Sequence, residues 1–154
     1  MLPIGWVACP RTEPTDDDWG RVVSHVILDG ERFTAGSLQG LDEFSHIDVV
    51  YVFDQVAADS YEVGPRHPRG NPGWPAVGVF AQRNKRRPNR IGICTCELLE
   101  VCGIELTVRG LDAIDASPVL DIKPWVPAFD QPWERKQVRI GWYSGIDLSI
   151  PKEE

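Results

Sequence analysis

Apolar residues fall in short runs rich in β-branched and aromatic side chains, and Gly, Pro and Asp separate one run from the next. Leu2–Cys9, Val22–Leu28, Ser45–Phe53, Ala76–Ala81, Ile91–Val101, Ile104–Leu111, Val119–Ile122 and Val138–Trp142 are the runs, and each predicts a strand. Cys102-Gly103 falls between two of them as a hairpin turn does. Leu38–Phe44 predicts a single helical turn leading into the strand at Ser45. Long amphipathic helices are missing, and no Gly-x-Gly-x-x-Gly follows a strand, which disfavours a βαβ dinucleotide fold. The fold class is mainly β, a barrel or a sandwich with few short helices.

Three stretches interrupt this pattern: Pro10–Gly20, Gly64–Pro75 and Pro124–Glu134. Functional loops occupy such places. The second carries Arg66, His67, Arg69 and Trp74 among four prolines and three glycines, although any one of these residues has an ordinary role in a stiff surface loop. Prolines fix the backbone of Lys123-Pro124-Trp125-Val126-Pro127.

A length of 154 residues predicts one domain over residues 1–154, large enough for a real core. The apolar start Met1–Cys9 is short and interrupted by Pro3 and Gly5, so it reads as a first strand rather than a leader; no run is long enough to span a membrane as a helix. A cytoplasmic location is the expectation. Of the four cysteines, Cys94 and Cys96 would share one strand face, which with Cys102 raises a metal site. The spacing matches no common zinc motif and His25, His46 and His67 are scattered, so reduced core thiols and no metal are expected.

Charge adds a sharper feature. The whole chain carries −7, yet residues 1–60 carry −8, residues 61–95 carry +6 and residues 96–154 carry −5. Five of the eight residues from Arg83 to Arg90 are basic. Arginine offers a planar fork suited to phosphate or carboxylate, and Pro88 restricts the turn that presents it. The acidic total argues against coating nucleic acid through a general basic surface; a local patch gripping a few phosphates remains compatible with it. A solvated basic turn is the plainer alternative.

Three motifs occur in order: Leu41-Asp42-Glu43-Phe44-Ser45-His46-Ile47; Gly78-Val79-Phe80-Ala81 with Arg83 and Arg87-Pro88-Asn89; and Ser117-Pro118-Val119-Leu120-Asp121-Ile122-Lys123-Pro124-Trp125-Val126-Pro127. Through them the chain resembles the TrmO family over about residues 1–130. The resemblance implies a single-sheet β-barrel that forms a homodimer with its cofactor near the subunit interface. It also implies an S-adenosylmethionine-dependent methyltransferase acting on N6 of N6-threonylcarbamoyladenosine beside the anticodon of tRNA. Carried over position by position, it marks Asp54, Gln55, Arg83, Ile93, Asp115, Ala116, Ser117 and Pro118 as cofactor-binding candidates. Asp54 and Asp115 are also the candidates for charge stabilisation or proton acceptance, with capping of a turn, the usual job of a loop Asp, as the alternative for each. Arg86, Arg87, Asn89 and Arg90 are the candidates for holding substrate phosphate or the threonyl carboxylate.

Departures from the family pattern accompany the match. Asp54-Gln55 stands where His-Gln is usual, and Asp115-Ala116-Ser117-Pro118 where Asp-Gly-Thr-Pro is usual. Arg90 replaces the second proline of Arg-Pro-Asn-Pro, and Asp16-Asp17-Asp18-Trp19-Gly20 occupies roughly the place of Pro-Arg-Gln. The chain also stops where many members continue into a further small domain. Two alternatives therefore stay open: the same chemistry on a small anionic molecule, and a non-catalytic module that binds cofactor or anion. Trp6, Trp125 and Trp133 are candidates for stacking on adenine, with burial or subunit packing as their commoner fate. Phe44 reads as a core anchor and His46 as a hydrogen-bonded barrel residue.

Overall fold

The computed structural model describes residues 1–15, 17–130 and 139–146. Six strands form the framework: β1 (Gly5–Ala8), β2 (Val23–Leu28), β3 (His46–Val52), β4 (Ile91–Cys102), β5 (Glu105–Arg109) and β6 (Pro118–Pro124). They close into a barrel in the order β1-β2-β5-β4-β3-β6, and neighbouring strands run antiparallel throughout. Closure pairs the strand edges that an open sheet would leave exposed.

Strand parity explains the core. Val26 and Leu28, then Ile47, Val49 and Tyr51, then Leu106 and Val108, are spaced by two along their strands and buried inside with Val7, Cys96 and Val119. Trp19, Leu111 and Ala113, just outside the strands, are buried with them. The sheet tolerates no side chain at Gly5, where an added Cβ would lie 2.3 Å from the Ile27 carbonyl oxygen. Phe44, expected as a core anchor, is instead 36% exposed, and His46 is exposed with Nδ1 against Ser45 Oγ at 2.9 Å.

Antiparallel alternation sorts the connections. The segments joining β1 to β2, β3 to β4 and β5 to β6 all leave the same end of the barrel. Two of the three irregular stretches and the cationic segment therefore meet there, although they lie far apart in sequence.

Four expectations about elements change. Ala76–Ala81 is no strand: Val77 makes an isolated bridge to Arg66, Val79–Ala81 is a 3-10 turn, and Phe80 is 79% exposed. With the barrel closed by six strands, this apolar run has no ladder to join. The β4–β5 turn is Gly103-Ile104, because Cys102 pairs with Glu105 and Gly103 takes the left-handed φ of +62°. The single helical turn at Leu38–Phe44 divides into 3-10 turns at Ala35–Leu38 and Leu41–Glu43, parted at Gly40 with φ +83°. Of Val138–Trp142, Val138 lies outside the described residues, and Gly141 and Trp142 begin a 3-10 turn, Gly141–Gly145. Trp133 also lies outside the described residues.

Candidate functional site

A cleft of about 800 Å³ opens at the end of the barrel where the three connections meet. That volume falls within the usual range of small-molecule sites, about 300–1,000 Å³. Tyr51 and Phe53 bring the barrel interior up to it as an edge-to-face pair 5.2 Å apart. A register shift between Val50 and Tyr51 re-aims the strand at this point. The Tyr51 hydroxyl donates to the Asp112 carbonyl. Burial first, then the Asp112 charge, pushes the Tyr51 phenol up, so it stays a neutral donor. Burial also raises the Cys94 and Cys96 thiols, which share the strand face expected of them.

Of the cofactor candidates, Asp54, Gln55, Arg83 and Ser117 line the cleft. Asp54 and Gln55 are exposed there, Ser117 is buried, and Arg83 Nη2 donates to the Ile93 carbonyl at 3.1 Å. The other four stand outside the lining. Asp115 accepts from the Cys9 N–H through Oδ1 at 3.0 Å while its own N–H donates to the Arg11 carbonyl, so it ties the end of β1 to the β5–β6 connection. Ala116 continues that tie through its N–H to the Val7 carbonyl at 2.8 Å, at a left-handed φ of +62°. Ile93 presents a half-exposed side chain, and Pro118 begins β6 opposite Trp6.

Ala116 carries a conformation that glycine adopts without a Cβ penalty of about 1–2 kcal/mol. The gain is partly offset by the extra freedom of glycine in the unfolded chain. Ala116→Gly is expected to stabilise the protein by roughly 0.5–1 kcal/mol, read as a higher denaturant midpoint.

The substrate candidates separate just as clearly. Arg86 is exposed in the cleft and has no partner among the described residues. Arg87 turns inward: Nη1 donates to the Gln82 carbonyl at 2.6 Å and the Val79 carbonyl at 3.2 Å, and the guanidinium lies 5.8 Å from the Phe80 ring centre. Arg90 Nη1 donates to the Val56 carbonyl at 2.9 Å from a φ of +53°, which proline cannot adopt. Asn89 is exposed away from the cleft lining.

Sequence reasoning passed over several cleft residues. Tyr51 had a legible signal, since it continues the inward parity of Ile47 and Val49. Asp112, Trp142 and Tyr143 had none. In the altered N-terminal stretch, Arg11 satisfies its own loop, donating to the Asp17 and Asp18 carbonyls at 2.7 Å and lying 4.8 Å over the Trp19 ring. Arg69 ties that loop to the Gly64–Pro75 stretch through Asp17 at 2.9 Å. No group of three or more His, Cys, Asp or Glu among the described residues is placed to hold a metal, and the four cysteines are free thiols.

The donor set fits an amino-acid nucleoside. Aromatic faces, exposed carboxylate at Asp54 and cations at Arg83 and Arg86 line one cleft, and Asn84 Oδ1, buried in its wall, has no donor among the described residues. Purine, amino, hydroxyl and carboxylate groups would each find a counterpart.

Comparison with known proteins agrees. The model of the tRNA-methyltransferase O N-terminal domain matches residues 10–131. A probable S-adenosyl-L-methionine-binding protein of Methanothermobacter thermautotrophicus is 46% identical over 134 residues, 84% of this chain and 92% of that protein. The tRNA (adenine(37)-N6)-methyltransferase of Mus musculus is 41% identical over 96 residues, 62% of this chain and 22% of that enzyme. The crystal structure of TrmO from Pseudomonas aeruginosa matches with a TM-score of 0.70 and 27% identity, covering 91% of this chain and 60% of that one. This chain thus spans about three-fifths of that solved protein and about a fifth of the mouse enzyme. A family match over most of the sequence, on a closed barrel of the same fold, makes the chain a member of the tRNA-methyltransferase O family through its N-terminal domain.

Proposed function

We propose that the protein uses S-adenosylmethionine to methylate N6 of an adenosine in tRNA, N6-threonylcarbamoyladenosine beside the anticodon being the substrate that the family motifs favour. The observation that carries this reading is the cleft itself, where an aromatic and carboxylate-bearing end adjoins a cationic rim with Arg86 unpaired among the described residues. Relatives named as S-adenosylmethionine-binding proteins and as tRNA adenine-N6 methyltransferases support it.

Bound S-adenosylmethionine supplies a methyl group already activated by its sulfonium charge. The protein's task is then alignment and exclusion of water rather than covalent catalysis. Tyr51 and Phe53 would face the purine, Asp54 the amino or hydroxyl hydrogens, and Arg83 the carboxylate. N6 loses a proton on methylation, and of the two carboxylates singled out by sequence only Asp54 lines the cleft. Arg86 would grip a phosphate or the threonyl carboxylate.

Calorimetric titration of purified protein with S-adenosylmethionine is expected to show heat and a rise in Tm by mass action. No heat and no shift at millimolar ligand would remove the reading. Labelled methyl retained on bulk tRNA identifies the substrate class, whereas label on small anions alone favours the small-molecule alternative. A twofold dimer completes the reading, supported by half-exposed Ile91 and Ile93 along β4. Light scattering is expected to give twice the chain mass; an active monomer would place the whole site in one chain. The cytoplasm is the compartment that goes with this substrate. No helix among the described residues is long and apolar enough to cross a membrane.

A further inference from the structure

Three aromatic rings in the cleft wall have no part in the cofactor contacts above. Trp142 is the middle ring, stacked on Tyr143 with centroids 4.1 Å apart and planes 26° apart. Trp74 lies 5.8 Å from the same ring, tilted by 43°. Trp142 Nε1 donates to the Ala81 carbonyl at 2.7 Å, just ahead of the cationic segment. His67 Nδ1 donates to the Trp74 carbonyl at 2.6 Å, between Arg66 and Arg69 in sequence.

The array is thus assembled from one loop of the cleft, which carries Trp74, and from a turn, Gly141–Gly145, that lies beyond the residues matched by the family model. All three rings line the cleft and remain partly exposed there. Rings needed only to bury a tail would be expected inside the core. Trp142 is held through its Nε1 bond and the Trp74 backbone through His67, and the two end rings, Trp74 and Tyr143, each keep a face that no other ring of the array covers.

We propose that Trp74, Trp142 and Tyr143 form a stacking platform for a nucleobase of the RNA substrate, next to the adenosine that is methylated. This rests on the tRNA reading above. A flat ring face accepts any base, and single-strand sites combine such faces with cations along the backbone. Arg66, Lys85 and Arg86 line the same cleft and supply that second half. The substrate's base is favoured over the cofactor's purine because Tyr51 and Phe53 already offer aromatic faces at the mouth of the barrel, and because Gly141–Gly145 lies outside residues 10–131 that the family model matches.

Tyr143→Leu and Trp74→Leu keep apolar bulk and remove the π face, while Trp142→Phe keeps the face and removes the Nε1–H donor. Each Leu variant is expected to weaken tRNA binding about 5- to 150-fold, the range of one lost base stack, with S-adenosylmethionine affinity within twofold of wild type. Trp142→Phe is expected to bind tRNA within a fewfold of wild type. Leu variants that bind tRNA like wild type would overturn the platform while leaving the methyltransferase reading intact. Loss of S-adenosylmethionine affinity with tRNA binding preserved would overturn it in favour of a cofactor site. A wild-type protein that binds no tRNA would remove the platform and the tRNA reading together.

Discussion

Gly92→Ala is expected to lower stability by about 1–3 kcal/mol and to abolish S-adenosylmethionine binding, because the added methyl would enter the space of the cleft's own aromatic pair. A Cβ at Gly92 would lie 2.6 Å from Tyr51 Cζ and 3.0 Å from Phe53 Cζ. Tyr51 is 2% exposed, so its ring has nowhere to retreat without opening the core. Overpacking of this kind corresponds to a fall of roughly 3–12 °C in Tm for a chain of this size. Gly64→Ala is the control, since an added Cβ there meets nothing within 4 Å. Adding Tyr51→Leu to Gly92→Ala removes the closer of the two approaches, so the pair is expected to be less destabilising than the sum of its parts. Additive losses in melting, or calorimetric binding unchanged by Gly92→Ala, would show that the ring position is not what the glycine protects.

Arg86 and Arg87, adjacent and identical in type, are expected to fail in opposite ways. Arg87→Ala removes two charge-assisted hydrogen bonds that hold Val79–Gln82 in place. With each such bond contributing about 1.5–3 kcal/mol and the group half-buried, a net loss of about 2–4 kcal/mol is expected. Arg87→Lys is expected to recover part of the loss, because both carbonyls are served by the one nitrogen Nη1 and an ammonium carries more than one donor, on a stem that is one atom shorter. Arg86→Ala is expected to change stability by less than about 0.5 kcal/mol and to weaken tRNA binding by about tenfold or more. The salt dependence of binding should become shallower by close to one phosphate contact. Chemical denaturation and binding isotherms at several salt concentrations read both outcomes. An Arg86→Ala variant with unchanged affinity and salt slope would sink the phosphate role and favour a small anionic substrate. An Arg87→Ala variant as stable as wild type would mean that the loop holds without its clamp.

These contrasts mark where sequence reading stops. Strands β1 to β6 were legible because a closed barrel imposes one inner face, and Val, Ile and Leu reveal it at every second position. Ala76–Ala81 misled for the converse reason: its residues have strand chemistry, but the barrel leaves no edge for them to pair with. Asp54, Gln55, Arg83 and Ser117, singled out by motif position, and Arg86, singled out by charge, all line the cleft. Asp115 sits in an equally suggestive motif, yet its carboxylate serves the Cys9 backbone, a choice set by contact across the barrel rather than by neighbours in the chain. Arg87 could not be told from Arg86 by charge, because the difference lies in two carbonyls that only the folded loop brings within reach. Trp142 belongs to the cleft through a bond to Ala81 that spans the whole cationic segment and half the barrel.

The seam that closes the barrel is short: β1 meets β6 through Gly5 opposite Val119 and Trp6 opposite Pro118. During synthesis the first strand must therefore wait for nearly the last one, and until residues 118–124 emerge a ribosome-bound chain carries unpaired strand edges at both ends of its sheet. Pairing over such sequence separation makes closure a slow step, on the millisecond-to-second scale of non-local β topologies. Asp115 and Ala116 fasten this same seam through the Cys9 N–H and the Val7 carbonyl, so the loop bordering the ligand cleft doubles as the latch of the folding reaction. Ligand-binding competence in a refolding experiment should consequently lag behind the appearance of β-structure, and substitutions in that loop should slow or reverse the last step of folding before they alter any chemistry.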